Sequence, residues 1–281
     1  MLGKLIKNEF KANSHSIGMI YIVAAVAVAL MAASYIADVT WISAIATIVL
    51  VAAGFIAVVV TFVSVISNFQ KTLYGPQGYL SFTLPVSSGQ LLAAKAITSF
   101  AWMLLSYLVA IGIFIGVYLY ATAMVGEDVK MAIDMMMTMF DGIPSKGTIK
   151  LVLLLVALAV FIQIVVLIAQ LYFAITLANT RALQKLGGFA AVIVFFAVFI
   201  VMQVISVLLS QYVPLSIVLT SEGLFYSTTS TMADPLGLSF GIAGMIFNVL
   251  CSAALFWGTA KLMNTKVNIK YYEDRCFRRD L

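Results

Sequence analysis

The 281 residues are 63% hydrophobic and only 10% charged, with mean hydropathy +1.11 and a net charge of +5. A soluble domain carries about 25% charged residues, so this chain cannot clothe a water-exposed surface, and the bilayer is its expected solvent. One histidine, His15, and two unrelated cysteines, Cys251 and Cys276, speak against a His-rich metal site, a His-based catalytic triad and a disulfide framework.

In chain order, the first element is short. Lys4, Lys7 and Lys11 fall on one helical stripe, while Leu2, Leu5, Ile6 and Phe10 cluster on the other. That pattern predicts an amphipathic helix lying in the membrane interface. A signal peptide also starts basic, but this apolar run is too long for an h-region and another span follows at once, so no cleavage is expected. A spanning helix needs about 20 predominantly apolar residues. Six runs qualify: Ile17–Ala37, Trp41–Ser67, Ala96–Val125, Leu151–Ala178, Gly188–Gln211 and Leu238–Leu262. The expected class is an all-α membrane protein: one transmembrane domain over 1–262, with a tail at 263–281.

Ionisable residues occur only near the ends of these runs, so an intramembrane proton or ion relay is not indicated. The strongest polar groups at depth are Gln163, Gln170, Gln203 and Asn248. They read either as hydrogen-bonding glue between helices or as the lining of a translocation path. Small-residue rows at Ala25/Ala29/Ala33, "GIFIG" (Gly112–Gly116) and "GLSFG" (Gly237–Gly241) would let helix backbones approach closely.

With the N-terminus inside, 13 of the 16 basic residues but only 4 of the 11 acids fall on the cytoplasmic side. Basic residues retained in cytoplasmic loops set orientation, so both termini are expected to be cytoplasmic. The basic balance then needs no nucleic-acid partner; topology and contact with anionic lipid account for it.

The connector after the second span is unusually structured. Gly75–Pro76 breaks the chain, and Tyr74, Tyr79 and Phe82 place three rings around the break. Leu84–Pro85 holds an extended residue, and Ser87 stands at capping-box spacing from Gln90. A helix is therefore expected from near Ser88, running through Lys95 into the third span. Outside, Met131, Met135 and Met139 suggest a surface helix within Gly126–Lys150, and Tyr212–Gly237 is too interrupted to cross, although Pro214–Leu219 could dip back.

The string "LYGPQGYLSFTLPVSSGQLLAAK", with "KNEFKAN" ahead of a six-span core, resembles the permease subunits of ABC-2-type ATP-binding-cassette exporters of Gram-positive bacteria. The likeness covers the whole topology; the specific motif covers about Leu73–Lys95. The resemblance implies a multi-pass protein of the bacterial cytoplasmic membrane that works as a pair, with a second copy or a sister permease. Two cytoplasmic ATPase subunits would carry ATP and magnesium, leaving this chain without a cofactor or hydrolytic activity of its own. It implies coupling contacts at Tyr74, Gln77, Gly78, Tyr79, Leu80 and Phe82, and at the N-terminal helix bearing Lys4, Lys7, Phe10 and Lys11. Family members often carry an acid where this chain has Gln77. The resemblance also places short external helices before the sixth span. Uncharged spans suit a hydrophobic or amphipathic cargo: a peptide toxin (of the phenol-soluble-modulin kind, for example), an antimicrobial peptide, a lipid or a drug. The chain has no G-x-x-x-x-G-K-[ST] phosphate loop, which fits a separate ATPase. A non-transporting sensor or assembly subunit would explain the spans equally well, but not the structured connector. An intramembrane enzyme lacks paired carboxylates or an activated nucleophile at depth.

Overall fold

The structure is a computed structural model that describes residues 2–36, 40–75, 78, 87–124, 146–180, 183, 189–213, 216–220, 223–227 and 238–265. It is almost entirely helical: α1 (Leu2–Ile36), α2 (Thr40–Leu73), α3 (Ser88–Met124), α4 (Lys146–Ala178), α5 (Phe189–Tyr212) and α6 (Ile242–Thr265). Five helices, α2 to α6, are long and apolar enough to cross a membrane. The first makes a sixth if its two arms, Gly3–Ser14 and Ile17–Ala33, which meet at 49°, are taken as one broken span. The protein is a multi-pass helical membrane protein.

The helices stop where their sequences dictate. α3 begins at Ser88, one residue after the N-cap position that Ser87 supplies in its spacing from Gln90. At the end of α4 the Asn179 side chain donates to the Ile175 carbonyl at 2.8 Å, and the Thr180 hydroxyl donates to Leu177 at 2.7 Å. Those bonds satisfy carbonyls that a helix end otherwise leaves orphaned. The Val213 amide closes the last turn of α5 on Leu209, one residue before Pro214.

Contacts divide the chain into two units, Met1–Lys71 with Gln90–Met137, and Thr72–Gly89 with Thr138–Leu281. In the first unit, Ala24, Ala27 and Met31 of α1 pack with Ala46, Leu50 and Ala53 of α2 and Ile113 of α3. The buried positions recur at three and four residues, the period of one helix face. At Gly54 α2 runs close to α3: a Cβ there would make an ordinary contact with Ile113 Cγ2 at 3.5 Å. In the second unit α4 packs on α5 and α6, and α5 packs on α6.

Two expectations need correction. Leu238–Gly241 is not the start of the sixth span but strand β3, and the helix begins at Ile242. With β1 (Ser216–Thr220) and β2 (Gly223–Ser227) it forms an antiparallel sheet in the order β2-β1-β3, where the resemblance had placed short helices. Ile217 faces Tyr226 and Phe240, and Val218 faces Phe225 and Ser239. Such β-branched and aromatic residues favour a pleated surface over a helix. The "GLSFG" row is therefore not a helical GxxxG. Gly241 instead permits close approach of the sheet to α5, where an added Cβ would lie 2.8 Å from Ser210 Cβ.

The other small-residue rows are not packed among the described residues. Ala25, Ala29 and Ala33 are exposed, and nothing lies within 4 Å of a Cβ built on Gly112 or Gly116. The methionine-rich segment around Met131–Met139 and the tail beyond Thr265 lie outside the described residues.

Candidate coupling site

The connector that follows α2 grows out of a buried helical stripe. Ala57, Thr61, Val65, Phe69 and Leu73 recur at every fourth position, and each is 1% exposed. The stripe ends at Leu73, and Tyr74 turns against α4, donating its hydroxyl to Thr176 Oγ1 at 2.9 Å. Thr176 is fully buried. Burial pushes the Tyr74 phenol up to about 12, against the opposing effect of its bond to Thr176. The ring therefore stays a neutral hydrogen-bond donor at physiological pH.

Next, the Gly78 amide donates to the Gly75 carbonyl at 2.9 Å. That bond fastens Gly78 back onto the end of the helix that precedes it. Gly78 is buried, and a Cβ there would collide with the Leu73 carbonyl oxygen. Only glycine fits this fold-back over the end of α2. Of the six residues that the resemblance marks for coupling, Tyr74 and Gly78 are thus fixed on the body of the second unit. Gln77, Tyr79, Leu80 and Phe82 lie outside the described residues.

The N-terminal arm of α1 is held by different chemistry. Lys4, Lys7 and Lys11 are exposed, whereas Leu5 and Ile6 are half-buried and Asn13 is buried. Glu9 lies between them and accepts from Lys95 Nζ at 2.6 Å and from Asn68 Nδ2 at 3.0 Å. Phe10 stacks on Trp102 with ring centroids 4.4 Å apart. The arm is an amphipathic helix, as its pattern predicts, but its non-lysine side is docked on α2 and α3 instead of resting wholly on lipid. Lys95 is 3% exposed. A buried ammonium is tolerable only with a partner, and Glu9 is that partner.

Sequence reasoning missed this clasp. The available signal was that Glu9 is the only acid of the expected cytoplasmic side ahead of the tail, facing a lysine at the mouth of an apolar run. It also missed a hydroxyl cluster in the same unit. Ser106 Oγ lies 2.7 Å from Tyr21 Oη and 2.6 Å from Thr61 Oγ1, tying α3 to α1 and α2.

The four amides do not converge. Gln170 is buried on α4, with Nε2 at 3.2 Å from Met202 Sδ. Asn248 of α6 donates to Ser206 of α5 at 3.1 Å. Both act between helices. Gln163 and Gln203 are exposed. An apolar groove of about 470 Å³ opens between α4, α5 and α6, bounded by Phe173, Met202, Cys251 and Leu255 among others; none of the four amides lines it. Among the described residues, no group of three His, Cys, Asp or Glu side chains could hold a metal ion.

No family model, curated protein or solved structure matches this chain. What the site can do follows from its own geometry. Both segments that the resemblance marks for a partner are fastened to helices: the root of the connector to α4 through Tyr74, and the arm at Glu9–Phe10 to α2 and α3. A load applied to either reaches a spanning helix through packed atoms and short polar bonds rather than through slack chain.

Proposed function

We propose that this chain is the transmembrane permease subunit of an ATP-driven exporter of the ABC-2 kind, resident in a bacterial cytoplasmic membrane with both termini inside. It pairs with a second permease and with a cytoplasmic ATPase that hydrolyses ATP. Nucleotide-driven closure of the ATPase moves the connector at 73–87 and the N-terminal arm. The spans then alternate between inward-facing and outward-facing states and carry a hydrophobic or amphipathic cargo outward.

The observation that carries this reading is the Tyr74–Thr176 bond together with the close fit of Gly78 against the Leu73 carbonyl behind it. A connector that merely joins two spans needs no buried hydroxyl pair and no residue without a side chain. One that transmits force needs a stiff root. The net charge of +9 on the expected cytoplasmic side against −4 opposite supports the orientation.

Affinity purification of the full-length chain from gently solubilised membranes is the test. The reading predicts stoichiometric recovery of an ATPase that is lost when Tyr79 and Phe82 are both changed to Ala. An ATPase that stays bound in that variant removes the connector from the contact. Recovery of no ATPase from the unaltered chain favours a sensor or assembly subunit.

A further inference from the structure

The apolar groove of the second unit ends beside a cation. It measures about 470 Å³, lies between α4, α5 and α6, and is lined by apolar side chains and the Cys251 thiol. Ala197 and Ala254 keep it hollow, since longer side chains at those positions would fill it. Both are exposed, so the groove opens sideways onto whatever surrounds the helices. Water finds no partners in such a hollow, and an empty one forfeits the dispersion contacts of its walls. An apolar occupant is required.

The volume decides what kind. A helix is 10–12 Å across, so one turn of it takes up roughly 400–600 Å³. The groove would seat about one turn of a spanning helix and leave the remainder unheld. A slender, flexible chain uses the whole of it.

The cation decides which chain. Lys261 stands seven residues after Ala254, on the same face of α6 and two turns further along. Helical side chains lean towards the N-terminus, here towards the groove. Lys261 Nζ accordingly lies over the Trp257 ring, 5.0 Å from its centroid. The Cα of Trp257 is about 4.5 Å along the axis from that of Ala254, so the charge sits within a turn of the opening. Neither α5 nor α6 carries another charged residue, and Lys146 and Lys150 of α4 stand at the opposite end of that helix. Trp257 is 68% exposed, as a ring set at headgroup level would be.

We propose that the groove holds one acyl chain of an anionic phospholipid whose phosphate meets Lys261. The lipid belongs to the leaflet at the C-terminal end of α6, cytoplasmic in the orientation proposed above. Hydrocarbon in the groove gains little over hydrocarbon in the bilayer, so the tail supplies fit and the headgroup supplies selection. The site requires a membrane but no ATPase, and stands or falls separately from the exporter reading.

The test places the full-length chain in phosphatidylcholine vesicles, with Trp41→Phe and Trp102→Phe leaving Trp257 as the single tryptophan. Phosphatidylglycerol or phosphatidylcholine with brominated acyl chains is then added as quencher. The proposal predicts that the anionic lipid quenches Trp257 with about fivefold higher apparent affinity, the worth of one basic residue at a membrane surface. Lys261→Gln should abolish that preference and Lys261→Arg should keep it. Ala254→Phe, which fills the groove, should weaken quenching by both lipids. Equal quenching by the two lipids in the parent, or a preference that survives Lys261→Gln, overturns the headgroup contact. Quenching unaltered by Ala254→Phe removes the chain from the groove, and quenching by neither lipid means that protein covers it. Native mass spectrometry of the chain with all its tryptophans gives the second readout. One phosphatidylglycerol should stay bound per chain, and Lys261→Gln should lose it; retention in that variant contradicts the proposal.

Discussion

Each of the two units is held together internally by its own chemistry. The first is laced with polar bonds: Glu9 bridges Lys95 and Asn68, and Ser106 joins Tyr21 to Thr61. In the second the helices meet largely through apolar side chains, with isolated bonds at Thr176, Ser206 and Met202. Apolar packing between helices in lipid gains nothing from the hydrophobic effect, because tails are as apolar as leucine; polar bonds and close contact supply the specificity. The first unit therefore fixes its own helix arrangement. The second leaves α5 largely uncovered.

The largest expected effect breaks the clasp. Lys95→Ala leaves the half-buried Glu9 carboxylate without its ionic partner, with the Asn68 amide still bonded to it, and should destabilise the folded chain by about 3 kcal/mol, seen as a lower midpoint in detergent thermal unfolding. Glu9→Gln with Lys95→Met should recover most of that loss, since two neutral groups need no ionic partner. If the double variant is as unstable as the single, the arm is held by something other than this pair.

Next comes Gly78→Ala, which drives a methyl into the Leu73 carbonyl and should cost about 1–3 kcal/mol by overpacking. On the proposed exporter reading it also has a consequence for coupling: transport per ATP should fall more than ATPase activity does.

Tyr74→Phe keeps the ring and removes the bond to Thr176, for a loss of about 1 kcal/mol. Its pH signature has a definite sign. The folded phenol titrates above the ordinary value of 10.0, at about 12. Below pH 10 the neutral ring costs nothing. As pH rises from 10 towards 12, the unfolded state gains by ionising first, and stability falls. Tyr74→Phe should flatten that stretch of the stability–pH curve relative to the parent.

Of similar size is Ser106→Ala, which removes the hydroxyl that meets both Tyr21 and Thr61, at about 0.6 kcal/mol for each interhelical polar bond. It should lower the unfolding midpoint of the chain slightly and leave ATPase recovery unchanged.

Much of the helical frame was legible in the sequence, because long apolar runs have few folded alternatives. The run read as Leu151–Ala178 lies within α4, Gly188–Gln211 nearly coincides with α5, and the start at Ser88 followed from the spacing of Ser87 and Gln90. The sheet was hidden. Ser216–Thr220 and Leu238–Gly241 are short and apolar, and a run of that length looks the same as a frayed helix end until its strand partner is known. The clasp was hidden for another reason: Glu9 and Lys95 are 86 positions apart, and no local pattern announces a pair at that separation. The small-residue rows misled in the opposite direction. Ala25, Ala29 and Ala33 show the right spacing, but in that stretch Ala24, Ala27 and Met31 are the side chains that α1 buries.

The central claim is that a cytoplasmic motor grips the connector rooted at Tyr74 and Gly78. Its most direct test is the side from which that connector is reached. A single cysteine at Phe82, in the background lacking Cys251 and Cys276, is treated with a membrane-impermeant thiol reagent in intact cells and in inverted vesicles. Modification in the vesicles alone is the predicted result. Modification in intact cells would place the connector outside, beyond the reach of any ATPase, and would contradict the account.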